Sequence, residues 1–193
     1  MEENGLSLLF MPPDKGGGME IIMKKRVFII PALLLAVLLS TGCQEKGETI
    51  QRKISDVLGV DVGEGTVVAS EDSHGGFHGD GMYFVTLRFS NGTFLDQASE
   101  AQGWKSLPLS ENLTKLVYGM EDDTSKIGPY LTKEIGEPVI PKVQNGCYYF
   151  LDRHSKNVDG YDDSDVLNRG SLNLTVAIYD VDTDTLYYVE YDS

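Results

Sequence analysis

The 193-residue chain is poor in reactive side chains: it holds two cysteines and three histidines. No nucleophile elbow, phosphate-binding glycine loop, dinucleotide fingerprint or paired CxxC occurs in it. The commonest signatures of hydrolases, nucleotide enzymes and thiol redox proteins are therefore missing. Positive charge is also scarce, with 16 Lys and Arg against 30 Asp and Glu, for a net charge of −14. That balance argues against binding nucleic acid or anionic headgroups by charge. Metal cations, basic peptides and cationic wall polymers stay open as partners, although acidity also serves solubility alone. Long apolar runs are missing as well: the longest, Val27 to Leu39, has thirteen residues, and a bilayer core needs about 20.

That short run sits in an informative place. Lys24-Lys25-Arg26 precedes it, and Ser40-Thr41-Gly42-Cys43 follows. A basic stretch, a short apolar run and small residues ahead of a cysteine have the layout of an export signal rather than of a membrane anchor or a buried helix. Ser40-Thr41-Gly42-Cys43 resembles the bacterial lipobox, and so the chain is similar to a bacterial lipoprotein. Ser40 stands where Leu is usual in that pattern, and Leu39 lies one place earlier. The resemblance implies that Cys43 is diacylated and becomes the first residue of the mature protein. It also implies attachment to the outer face of the bacterial cytoplasmic membrane.

Ahead of the signal, Met1 to Gly18 contains the breaker cluster Pro12-Pro13-Asp14-Lys15-Gly16-Gly17-Gly18 and no apolar periodicity. Lys-Gly-Gly codons can spell a ribosome-binding sequence, so translation is expected to start at Met19 or Met23; a disordered leader explains the same residues. The expected organisation is a leader plus signal peptide over 1–42, a tether over 43–47 and one globular domain over 48–193.

Residues 1–42 carry four charges of each sign, so the mature part has 12 basic and 26 acidic side chains and the whole net charge. From Cys43 onward there are 151 residues, enough for one sizeable core. With Cys43 lipidated, Cys147 has no partner for a disulfide. It lies between Gly146 and Tyr148 at the start of an apolar run and reads as a small buried hydrophobe. A catalytic thiol paired with the nearby His154 is the rival reading.

Ile50, Ile54, Val57 and Leu58 recur at helical spacing, and Gly59 follows as a stop signal. Strands are predicted over 66–70 and 81–90, short helices over 94–102 and 110–118, and strands over 146–151, 171–180 and 185–191. Pro108 marks residues 104–109 as an extended link, and three prolines mark 121–142 as an irregular connection. The sum is an α+β fold: a single domain with an antiparallel sheet of about five strands and helices packed on one face.

Three constellations could carry chemistry. His74, His78 and Asp80 lie within seven residues on a glycine-rich loop, and the remaining histidine, His154, follows Asp152-Arg153. Imidazole with carboxylate suits zinc or a similar divalent cation, with carboxylates orienting the rings. The spacing matches no named zinc motif, and the glycines alone explain a turn needing positive φ. Asp180-Val181-Asp182-Thr183-Asp184 resembles the start of a calcium loop, but Thr185 and Tyr191 stand where that loop needs Gly and Glu, so a hairpin turn is expected. The acidic segment Asp159 to Asp165 is read as a solvated loop. Tyr148, Tyr149, Tyr179, Tyr187, Tyr188 and Tyr191 crowd the C-terminal strands. They form either an exposed aromatic face for an envelope protein, peptide or glycan, or a face covered by helices.

Four stretches together resemble an uncharacterised family of small extracytoplasmic proteins from low-GC Gram-positive bacteria. They are residues 75–81, 104–109 and 145–154, and the pair Ala177-Ile178-Tyr179-Asp180 with Thr185-Leu186-Tyr187-Tyr188. The resemblance spans most of 70–192 and implies a shared fold without an assigned activity. The expected function is a lipid-anchored cell-envelope protein acting as a non-enzymatic binding or interaction module, without cofactor. The alternative is a metal-binding protein or metal-dependent hydrolase using His74, His78, Asp80 and His154.

Overall fold

The computed structural model describes residues 49–75, 79–134, 136–154 and 159–193. Cys43, the signal segment, the tether and His78 lie outside the described residues. Among the described residues no helix is long and apolar enough to cross a membrane.

Helix α1 (residues 49–58) forms where the apolar spacing predicts it and buries Ile54 and Leu58. It stops at Gly59, whose φ of 66° is open to glycine and whose N–H donates to Ser55 O at 2.9 Å. Strands β1 (Thr66–Asp72) and β2 (Gly81–Arg88) pair antiparallel. Helix α2 (Phe94–Glu100) and strand β3 (Trp104–Ser106) follow. Helix α3 (Glu111–Tyr118) is capped by Ser110, whose hydroxyl accepts from the Leu113 N–H at 3.1 Å. Two small ladders come next: β4 (Met120–Glu121) with β5 (Lys126–Ile127), and β6 (Thr132–Glu134) with β7 (Glu137–Pro138). Strand β8 (Gly146–Asp152), a 3-10 turn (Val166–Asn168), β9 (Asn173–Asp180) and β10 (Thr185–Asp192) complete the chain.

The main sheet has six strands in the order β1-β2-β10-β9-β8-β3, all paired antiparallel. This is the α+β antiparallel architecture expected from the sequence, with one strand more. The sixth is β3: residues expected to form only an extended link pair with β8, Trp104 opposite Tyr149. The two small ladders, which begin at Met120, likewise occupy the connection expected over 121–142.

Helices α1 and α2 share one face of the sheet, as expected, whereas α3 packs on the other. The reason lies in β8, β9 and β10. In β9, Leu174, Val176 and Ile178 face α3, and Ala177 and Tyr179 face α1 and α2. Six successive residues of β9 are buried. A strand apolar at both parities needs cover on both sides, and each aliphatic chain so buried contributes about 1.5–3 kcal/mol.

The tyrosines therefore form no exposed face. Tyr148, Tyr149, Tyr179 and Tyr188 are at most 5% exposed, and Tyr187 and Tyr191 pack partly buried against the α3 side. Cys147 is free and buried in the α1 side. The β9–β10 hairpin closes through Asp180, whose carboxylate accepts from Asp182 N–H at 2.9 Å and Thr183 Oγ1 at 2.8 Å. Asp184 adopts φ 50° and accepts from the Tyr179 hydroxyl at 2.7 Å. These carboxylates build a turn, as the departures from a calcium loop indicated.

Candidate functional site

Five strand ends converge at one end of the sheet and bring together a polar cluster that is only partly legible in the sequence. Asp72 ends β1, Gly81 begins β2, Asp192 ends β10, Asn173 begins β9 and Asp152 ends β8. His74 lies just past β1. Its Nδ1 is 2.7 Å from Asp72 Oδ1 and its Nε2 is 3.1 Å from Asp192 Oδ2. The glycine at 81 is required here, because a Cβ on it would lie 2.5 Å from His74 Cα.

Asp192 also receives Arg153, whose Nη2 is 2.9 Å from Oδ1 and donates to Leu174 O at 3.1 Å. Asn173 completes the chain of contacts once its amide is turned to satisfy its neighbours: the nitrogen then donates to Asp192 Oδ1 at 3.3 Å and the oxygen accepts from His154 Nδ1 at 3.3 Å. Thus His74 and His154, far apart in sequence, join one network through Asp192 and Asn173. Neither Asp72, Asp192 nor Asn173 was singled out by sequence reasoning. Asp72 is visible as the residue two before His74, but the partnership with Asp192 spans 118 positions and follows only from strand order.

Asp72 is held below the ordinary carboxylate range, first by the His74 backbone N–H and then by its imidazole. Asp152, 8% exposed, is ion-paired with Arg169 at 2.7 Å. Among the described residues no further hydrogen-bond partner meets Arg169 Nη2 or its Nε.

Of the residues proposed for a metal, His74, Asp80 and His154 are described, and His78 lies outside the described residues. Among the described residues no group of three or more His, Cys, Asp and Glu side chains is placed to hold an ion. His74 directs its two nitrogens at two different carboxylates. Asp80 is exposed and accepts from Gly75 N–H through its backbone carbonyl at 3.3 Å. The Cys147 thiol is buried and unsuited to nucleophilic work, because burial pushes it up to about 12. Ser73 beside His74 is committed to Met82, accepting from its N–H at 2.9 Å and donating to its carbonyl at 3.1 Å.

Next to the cluster lies a cleft of about 470 Å³ lined by Glu71, Asp72, Ser73, Met82, Phe84, Thr132 and Lys133. It borders β1, which pairs on one side with β2 and forms the edge of the sheet. Every residue of β1 is at least partly exposed, and Val68 sits in a bulge at 55% exposure. A second cleft of about 450 Å³ lies by Leu107, Leu109 and Tyr118, where the Tyr118 hydroxyl donates to Pro141 O at 3.0 Å. No protein-family model matches the chain, and neither a curated protein nor a solved structure is found similar to it.

Proposed function

We propose that the protein is a lipid-anchored binding module without catalytic activity, tethered through Cys43 to the outer face of the bacterial cytoplasmic membrane. The observation that carries the binding reading is the open β1 edge lying beside a cleft of about 470 Å³. An open strand edge offers backbone donors and acceptors to an extended segment of a partner, and a neighbouring cleft selects its side chains. The polar cluster supports the same reading. His74 has both ring nitrogens occupied by carboxylates, so it serves as a clasp between β1 and β10 rather than as a free base.

The anchor is tested by metabolic labelling with an alkyne fatty acid. Wild-type protein takes up label and fractionates with membranes, and Cys43→Ala loses both properties. A Cys43→Ala protein that still labels rejects the anchor. The absence of metal chemistry is tested by elemental analysis of protein purified without chelator. Stoichiometric zinc that disappears in His74→Ala would overturn the non-enzymatic reading in favour of a metal-dependent one.

A further inference from the structure

We propose that the cleft beside β1 receives a basic side chain of an extended peptide that adds to β1, and that Lys133 is the protein's own occupant of that place. The inference rests on the binding reading above and names the partner's chemistry.

Glu71 and Phe84 are directly opposed on β1 and β2 and so share one face of the sheet. Lys133 reaches over both. Its Nζ is 2.5 Å from Glu71 Oε1 and 4.9 Å from the centroid of the Phe84 ring. A carboxylate beside the face of an aromatic ring is a receptor for an ammonium or guanidinium group. The cleft thus shows which chemistry it accepts by what already sits in it.

The occupant is also easily exchanged. Lys133 belongs to β6, in a small excursion held at its ends by buried Leu131 and Ile140. The lysine side chain is 41% exposed and its carboxylate partner 59% exposed, and an ion pair so placed is weak. Lys133 can swing into solvent while its backbone stays anchored.

The strand geometry supplies the second half of the site. Ser73 N–H donates to Met82 O at 2.9 Å. In an antiparallel ladder the pairing direction alternates, so Ser70 and Asp72 turn their backbone groups to the outer edge. The bulge at Val68 lies upstream of this stretch. An incoming strand along residues 70–72 places alternate side chains over the cleft, where Glu71 supplies negative charge. The domain's acidic balance favours a cationic partner at longer range.

The test uses the full chain in detergent micelles and a blocked seven-residue peptide alternating valine and lysine. Matching peptides alternating valine with glutamate or with threonine serve as controls. Titration calorimetry reads affinity, and hydrogen exchange reads protection of the β1 amides. The lysine peptide is expected to bind and protect residues 70–72, and the glutamate peptide to do neither. Lys133→Met, which removes the ammonium paired with Glu71, is expected to tighten binding by about three- to fivefold, the scale of one exposed ion pair. Glu71→Gln is expected to weaken it by a similar factor. Opposite signs from the two partners of one ion pair distinguish a ligand site from a structural contact.

Binding that is unchanged or weaker in Lys133→Met overturns the cleft assignment. Equal binding of the threonine peptide overturns the basic specificity while leaving the edge as a docking strand. No protection of β1 by the lysine peptide at millimolar concentration rejects the inference outright. Fatty-acid labelling of the same preparations reports separately on the anchor, so each failure can be assigned.

Discussion

The two faces of the sheet are built from different materials. On the α1 and α2 side, Phe89, Phe94, Trp104, Tyr149 and Tyr179 form a chain of ring contacts with centroids 4.7–6.1 Å apart. Their polar atoms are tied to fixed partners: Tyr149 Oη donates to Val57 O at 3.0 Å, and Trp104 Nε1 donates to Leu58 O at 3.1 Å. Both acceptors are carbonyls in the last turn of α1, which lack partners within the helix. The α3 side is mainly aliphatic, with Leu113, Leu116, Val117, Leu131, Ile140, Leu174, Val176 and Ile178. One face is specified by directional bonds and the other by shape and volume. The aromatic face should therefore respond to loss of single polar atoms, and the aliphatic face to loss of methyl groups.

The largest effect tests the aliphatic side. Ile178→Ala is expected to lower stability by about 2–5 kcal/mol, read from urea denaturation, because the side chain is fully buried at the sheet centre. A loss below about 1 kcal/mol would show that this face collapses to fill the space and is not governed by shape.

A gain is expected on the aromatic side at Thr175. Its hydroxyl is fully buried and makes no hydrogen bond among the described residues, and an unsatisfied polar atom costs about 1–3 kcal/mol. Thr175→Val is expected to raise the denaturation midpoint; a lowered midpoint would mean that the hydroxyl has a partner in solution.

Tyr149→Phe should cost about 1 kcal/mol, since it removes one bond and keeps the ring. The same face holds the thiol of Cys147, raised to about 12 by burial. In the unfolded chain it ionises near 8.5. Its neutral form is common to both states below that value, so stability falls as pH rises from about 9 towards 12, where the unfolded thiol ionises first. Iodoacetamide at pH 8 is expected to spare native protein and to label it in denaturant. Rapid native labelling would show that Cys147 is accessible.

The smallest effect lies where the two faces meet, at the His74 clasp. The folded-state value of Asp72 is depressed, so its contribution is complete above about pH 4 and is lost as pH falls through the lower folded value. Its 59% exposure screens the interaction, which limits the contribution to under about 1 kcal/mol. Asp72→Asn should flatten the acid limb of the stability profile slightly. An unchanged limb would mean that His74 is held by Asp192 alone.

Most of the fold was legible because local chemistry and pattern agree. Gly59, Ser110 and the turn at Asp180–Asp184 carry their own stop, cap and turn signals, and the elements end there. The burial of both faces was legible in principle, since Cys147 to Leu151 and Leu174 to Tyr179 are apolar at both parities, with Thr175 the sole polar residue. That continuity favours the covered face over the exposed aromatic one, and the covered face is the one found. Strand β3 escaped because Pro108 dominates a stretch whose first three residues pair only with a distant edge. The clasp was half legible. His74 and His154 flagged their neighbourhood and Asp72 lies two before His74, yet Asp192 and Asn173 come from β10 and β9, and no local spacing encodes that closure.

The bulge at Val68 has a consequence for copies of the protein crowded together. Two flat, seven-residue margins could zip along their full length and grow into ribbons. One surplus residue near the start of β1 throws such a pairing out of step, so end-to-end polymers are discouraged. The straight stretch beyond it is too short to seed a fibre, but long enough to greet a single visiting strand.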